Sequence, residues 1–242
     1  KNSMEHLFLA LADIHGNIDA LQQILKANPN IEGILVAGDL TNFGKEKEAQ
    51  NVLLAFSSIT SKAALYFLAG NCDTIEARRY FEKQPGYIEQ RCFPLLSEKD
   101  IWIIGSGGGL IHTGLTPFEI REEELENGLN HAYKCAIQGY RNIIDSSELT
   151  PDLIVLTHTP PKDTFADIRH SRHIGSIAFQ RFLYEHEPLL WICGHIHEGK
   201  SIHIENRTLV VNPGPAAHGS YALILLKRYP KGWKAAAELR SI

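Results

Sequence analysis

The amino-acid sequence predicts an α/β fold. Three observations carry the prediction. Short apolar runs alternate with stretches of helical period through most of the chain, polar turn residues cluster just after the apolar runs, and the last quarter becomes alternating and β-rich. Residues 6–12 form the first apolar run and read as a strand. Asn17 can cap a following helix whose apolar residues Ile18, Leu21, Ile24 and Leu25 recur at helical spacing. Residues 34–37 and 64–69 read as the second and third strands, with a helix from 46 to about 58 between them. Residues 74–83 read as helix, and 101–105 as a strand that runs into Gly107-Gly108-Gly109. Two separate helices are expected near 119–130 and 133–146. Residues 153–156 and 189–193 read as strands on either side of a helix near 176–185. The tail segments 200–205, 208–211, 222–226 and 233–238 suggest antiparallel strands. The expected organisation is one domain over residues 4–242, with parallel βαβ units first and a β-meander last.

Composition narrows the function classes. A chain of 242 residues can bury a substantial core, and 44% hydrophobic with 21% charged residues is an ordinary globular balance. The net charge of −4 and the lack of an extended basic stripe argue against a nucleic-acid partner. No apolar run approaches the ~20 residues that span a bilayer, and the start does not resemble a signal peptide, so no membrane partner is expected. Met4 is the only methionine, so residues 1–3 read as a remnant of cloning. The four cysteines, Cys72, Cys92, Cys135 and Cys193, are scattered, which points to a reducing, cytoplasmic setting rather than a disulfide framework. Oligomeric state is not legible.

Chemistry-bearing residues gather where strands end: Asp13-Ile14-His15-Gly16-Asn17, Gly38-Asp39, Gly70-Asn71-Cys72-Asp73, Thr157-His158 and Gly194-His195-Ile196-His197. Loops beyond the carboxyl ends of strands in open α/β sheets share one edge, so five turns distant in sequence can converge. Asp13/His15 and His195/His197 are spaced i, i+2, which puts both side chains of each pair on one side of an extended backbone. Imidazole nitrogens mixed with carboxylate oxygens suit Mn, Zn, Fe and similar divalent ions rather than calcium. Asp39, with two oxygens, can bridge two ions, and Asn71 offers an amide oxygen.

These blocks, in this order from about Leu9 to Pro213, resemble the signature of the calcineurin-like metallophosphoesterase superfamily. The resemblance implies two mixed β-sheets packed face to face with helices outside, in four layers. It implies a small phosphate-ester substrate and two divalent ions, Mn²⁺ first, with Fe, Zn, Ni or Mg as alternatives. Asp13, His15 and His197 would hold one ion, Asn71, His158 and His195 the other, and Asp39 would bridge them. A water between the ions would attack phosphorus in line. One position departs from the pattern: many members follow the asparagine with a histidine that protonates the leaving group, and here Cys72 stands there. The Asn-Cys-Asp form is similar to a subset of small prokaryotic phosphoesterases. A thiol is a poor acid, so Cys72 reads as a small buried filler and the proton donor stays open.

His112, His173 and His218 are the candidate acids or phosphate contacts. Arg169, His170 and Arg172 read equally well as an anion-binding run or as solvated surface. The glycine stretch 105–112 reads as a flexible loop, with a phosphate cradle as the alternative. The expected activity is a phosphodiesterase. Rivals are a scaffold of the same fold that has lost catalysis, a phosphomonoesterase and a nuclease. The complete set of seven ligand candidates argues against the scaffold.

Overall fold

The computed structural model describes residues 4–59, 62–112, 114–145 and 149–242, so the reading of residues 1–3 lies outside the described residues. The strands in chain order begin with β1 (Glu5–Leu11), β2 (Gly33–Ala37), β3 (Ala64–Leu68), β4 (Cys92–Pro94) and β5 (Ile101–Ser106). The short pair β6 (Gly109–Leu110) and β7 (Glu119–Ile120) follows, then β8 (Asp152–Thr157) and the small hairpin β9 (Ile168–Arg169) and β10 (Arg172–His173). The last are β11 (Leu190–Ile192), β12 (Ser201–Glu205), β13 (Thr208–Asn212), β14 (Ser220–Tyr229) and β15 (Gly232–Ser241). The helices are α1 (Ile18–Ala27), α2 (Glu46–Ile59), α3 (Ile75–Phe81), α4 (Glu122–Ile144) and α5 (Ile177–His186).

Two mixed sheets result, in the orders β15-β14-β1-β2-β3 and β12-β13-β11-β8-β5-β4. The period-2 alternation of side chains explains the layering. Phe8, Ala10, Leu35 and Ala37 of the first sheet pack with Ile101, Ile103, Ile154, Leu156, Leu190 and Ile192 of the second, forming the core between them. Their neighbours Leu9, Leu11, Ile34 and Val36 face outward onto α1 and α2 through Leu21, Ile24, Val52 and Phe56. Trp102, Ile104, Val155 and Trp191 face the other way, onto α4 and α5 through Leu125, Leu129, Phe179 and Phe182. Strands covered on both faces need continuous apolar runs, which is how they read in the sequence. The parallel strands β1, β2 and β3 in one sheet and β8 and β11 in the other end at the five polar turns.

The structure corrects four readings. The tail is not a β-meander, because β12 and β13 join one sheet and β14 and β15 the other. The two helices expected between 119 and 146 are one, α4, whose buried Leu125, Leu129, Ala132, Ala136 and Tyr140 continue one face without a break; residues 119–120 are strand β7 instead. The end of that reading at 146 lies outside the described residues. The glycine stretch is neither flexible loop nor cradle: Gly107, Gly108 and Gly109 N–H donate to Glu89 Oε2, Ala69 O and Phe118 O, so none is left for phosphate. The cysteines are not all free thiols. Cys92 and Cys135 form a disulfide, their Cα atoms 6.0 Å apart, because α4 packs against β4. No helix among the described residues is long and apolar enough to cross a membrane.

Candidate metal centre

Gly38 and Gly70 let the first turns meet. Gly38 has φ +86°, and a Cβ there would lie 2.5 Å from His158 Nδ1. A Cβ at Gly70 would lie 2.1 Å from Asp39 Oδ1. Asp13, His15, Asp39 and His195 themselves adopt positive φ, a backbone cost of the kind that concentrates at functional sites. Asp73 joins the second and third turns. It is fully buried and accepts from Leu40 N–H, Thr41 N–H, Thr41 Oγ1 and Gly70 N–H. Asn212, also fully buried, donates to Ile196 O and Ala166 O and so braces the His195–His197 turn.

Within this frame six of the seven sequence-predicted residues meet through their side-chain atoms, and His195 joins through its ring and its backbone. Asp39 Oδ1 accepts the Cys72 N–H at 2.7 Å, and its Oδ2 lies 3.8 Å from His15 Nε2 and 3.4 Å from His158 Nε2. Asp13 Oδ1 lies 3.9 Å from His15 Nε2 and 3.5 Å from His197 Nε2. His158 Nε2 lies 2.7 Å from Asn71 Oδ1. The His195 ring stands 4.9 Å from that of His158, and its N–H donates to Asp13.

The donor set fits cations. Asp13 and Asp39 are buried, and among the described residues neither has a lysine or arginine partner; only imidazoles face them. His158 Nδ1 lies 2.8 Å from the Ala37 carbonyl, which can only accept, so Nδ1 carries the proton. Its Nε2 then points a lone pair at the oxygens of Asn71 and Asp39, an arrangement that needs a proton or a metal ion between them. Burial works against charge on His158, but Asp39 and its hydrogen bonds carry the imidazole up to about 9. Burial would raise Asp39, yet the His158 charge and hydrogen bonds hold it well below the usual carboxylate range. Burial and the His158 charge bring His195 down to about 4, which keeps that ring neutral and able to ligate. Donor separations of 3.4–3.9 Å suit metal–ligand bonds of about 2.0–2.2 Å.

The profile of the calcineurin-like phosphoesterases matches residues 6–199. The chain belongs to that family. MJ1162 of Methanocaldococcus jannaschii, an uncharacterized protein, is 26% identical over 218 residues, which are 88% of this chain and 90% of the relative. TT1561 of Thermus thermophilus superposes with a TM-score of 0.68 at 17% identity, over 96% of this chain and 99% of that one. A dimetal phosphatase from Danio rerio superposes with a TM-score of 0.60 at 11% identity, over 96% and 98%. These superpositions establish the shared fold of two mixed sheets flanked by helices.

The chain places its remaining candidates unevenly. His112 borders a cavity of about 420 Å³ together with Asn71, His195 and Arg169. The His218 ring stands 6.3 Å from the His197 ring and does not border that cavity. His173 is held by Asp167, Nδ1 to Oδ1 2.6 Å, on the β9–β10 hairpin, and it does not border that cavity. Cys72 is buried, with Sγ within 4.8 Å of ligand atoms of His15 and Asp39, and burial with the Asp39 charge pushes its thiol well above the ordinary value. Asp73, Asn212 and Asp167 were missed as positioning residues. Only Asp73 had a sequence signal, a polar residue beside the Asn71 block; Asn212 and Asp167 stand away from every ligand block.

Glu89, beneath the glycine stretch, gives a testable pH dependence. The residue is partly buried, but its Oε1 is sealed from solvent without a hydrogen-bond partner. Burial raises its carboxyl from 4.5 to about 7 against the Gly107 N–H and Arg78. The unfolded chain ionises first, so folding takes up a proton between these values and stability falls as pH rises through that window. The expected loss is at most about 3 kcal/mol. Urea denaturation between pH 4.5 and 8 should show a shallower slope in Glu89→Gln than in the wild type, the remainder belonging to groups such as Asp73, whose carboxyl burial also raises to about 7. An equal slope in both proteins would assign it elsewhere.

Proposed function

We propose that the protein is a dinuclear metal-dependent phosphodiesterase acting on small or nucleotide phosphodiesters. Asp13, His15 and His197 would hold one ion and Asn71, His158 and His195 the other, with Asp39 able to serve both. The observation that carries this is the position of Asp39 Oδ2, facing His15 Nε2 and His158 Nε2 at once while Oδ1 is tied to Cys72 N–H. Two bound cations would polarise the phosphoryl oxygens and acidify a water for in-line attack. The chain's own residues set the rest. Asp73 fixes the spacing of the Asp39 and Asn71 turns, and the Ala37 carbonyl sets the His158 tautomer so that Nε2 faces inward. Cys72 stays a neutral thiol and does not serve as the acid. His112, bordering the 420 Å³ cavity, and His218, beside His197, are the candidates for delivering the proton.

Metal-stripped protein should be inactive and regain most turnover with Mn²⁺, when Mn, Mg, Ni, Fe and Zn are each added back. Activated diesters should exceed alkyl monoesters in kcat/KM, because an acid in the usual place is worth about 10²–10⁴-fold on poor leaving groups. Cys72→His should gain on poor leaving groups relative to good ones, while Cys72→Ser should change little. Strong wild-type preference for alkyl monoesters, or full activity without metal, would defeat the reading.

A further inference from the structure

The 420 Å³ cavity beside Asn71 and His195 has walls unlike the metal centre. Leu110, Ile111 and Ile174 give it an apolar side, and Ile111 is 57% exposed with no chain packed over it. A larger groove of about 660 Å³ along the β3 edge contains none of the ligand candidates, so the smaller cavity is the one continuous with the chemistry.

One side chain of this wall, Arg169, carries a full positive charge, and among the described residues it has no acidic partner. It stands on a braced support. Asp167 is fully buried and accepts from Asp163, Thr164 and Gly175 N–H and from His173, which fixes the base of the hairpin. His170 and Ser171 at the tip both have positive φ, as a two-residue hairpin turn requires. His170 donates its N–H to Glu198 Oε2 and sets its ring 3.3 Å from Glu198 Oε1. Glu198 is thereby engaged by His170 and adjoins His197, so the tip is anchored next to the metal-ligand turn. The acid of the wall, Glu119, is also committed, accepting from His112, Gly114 and Thr116 N–H and from Thr116 Oγ1. An exposed guanidinium on a braced hairpin, bordering an apolar recess with its neighbouring carboxylates engaged elsewhere, is an arrangement suited to recognising a planar anion.

We propose that this cavity seats the organic part of the substrate, and that the substrate is a phosphate ester with an apolar group next to the scissile phosphate and a second anion, carboxylate or phosphate, read by Arg169. This rests on the phosphoesterase reading above. The test compares propyl 4-nitrophenyl phosphate with its 2-carboxyethyl analogue, using Mn²⁺-loaded protein. The carboxylated ester should be preferred at least tenfold in kcat/KM, mainly through KM. Arg169→Gln should reduce that ratio to about two or less, Arg169→Lys should give an intermediate ratio, and Arg172→Gln, on the same hairpin but outside the cavity, should keep it. Calorimetry with propylphosphonate, 2-carboxyethylphosphonate and propane-1,3-bisphosphonate reads the same discrimination without turnover and shows which anion is favoured. Protein that hydrolyses neither ester with any metal would sink the phosphoesterase reading, while the phosphonate ratios would still decide the role of Arg169. No preference in the wild type, or an equal preference in Arg169→Gln, would overturn the proposal.

Discussion

Asp39→Asn should lower turnover by more than about 100-fold, because losing even an outer partner of a metal ligand typically costs 10–100-fold. The substitution keeps the shape of the side chain. Its amide oxygen can still accept the Cys72 N–H, which Oδ1 now takes at 2.7 Å. The amide NH₂ would then occupy the place of Oδ2, directed at His15 Nε2 and His158 Nε2. The two imidazoles would face an amide donor where the wild type offers a carboxylate oxygen that a cation could share with them. Calorimetric titration with Mn²⁺ should show weaker binding and a lower stoichiometry. The metal-free fold should be less stable than the wild type, because the amide removes the charge that faces His158 and carries its imidazole up to about 9. Wild-type turnover in the variant would remove Asp39 from the bridge.

The second large effect falls on stability. Asp73→Ala should cost about 3–5 kcal/mol, since it leaves the buried N–H groups of Leu40, Thr41 and Gly70 without their acceptor. The Thr41 hydroxyl loses the same partner. These groups line the two turns that carry Asp39 and Asn71, so metal affinity should fall along with stability. Asp73→Asn should cost less, because it retains one acceptor oxygen while turning an NH₂ toward the remaining donors. Urea denaturation of the metal-free proteins measures both. A loss below about 1 kcal/mol for the alanine variant would mean that the turns hold their register without this clamp.

The two variants separate what the chain makes legible from what it conceals. Much of the layering could be read directly. The alternation in Phe8-Leu9-Ala10-Leu11 and in Ile101-Trp102-Ile103-Ile104 specifies two buried faces, because a strand must send successive side chains to opposite sides. Asp13-x-His15 and His195-x-His197 were legible as local pairs of ligand types, but the extended backbone expected for them is not found: Asp13, His15 and His195 have positive φ and His197 opens a short 3-10 turn. The position of the polar turns after apolar runs pointed to the seven candidates converging at strand ends, although those strands belong to two sheets rather than one.

Contacts between distant segments had no such local code. Period-2 alternation says which face a residue takes but not which strand lies beside it. Nothing in residues 222–226 announces that β14 pairs with β1 at the other end of the chain, or that β13 lies parallel to β11. Helix α4 read as two helices because its middle is polar on the outer face, and only packing against β5 shows the unbroken buried stripe. The pairing of Cys92 with Cys135 depends on that same helix crossing β4. Side-chain direction was equally hidden. Residue type marked Asp39 as a bridge, but that Oδ2 faces both imidazoles while Oδ1 is tied to Cys72 follows from the approach of two turns 33 residues apart. The glycine stretch has the composition of a phosphate loop, yet its N–H groups are already taken by Glu89, Ala69 and Phe118. A hydrogen-bonding group can serve a ligand only where the fold has not already satisfied it, and that is settled by tertiary packing rather than by the order of residues.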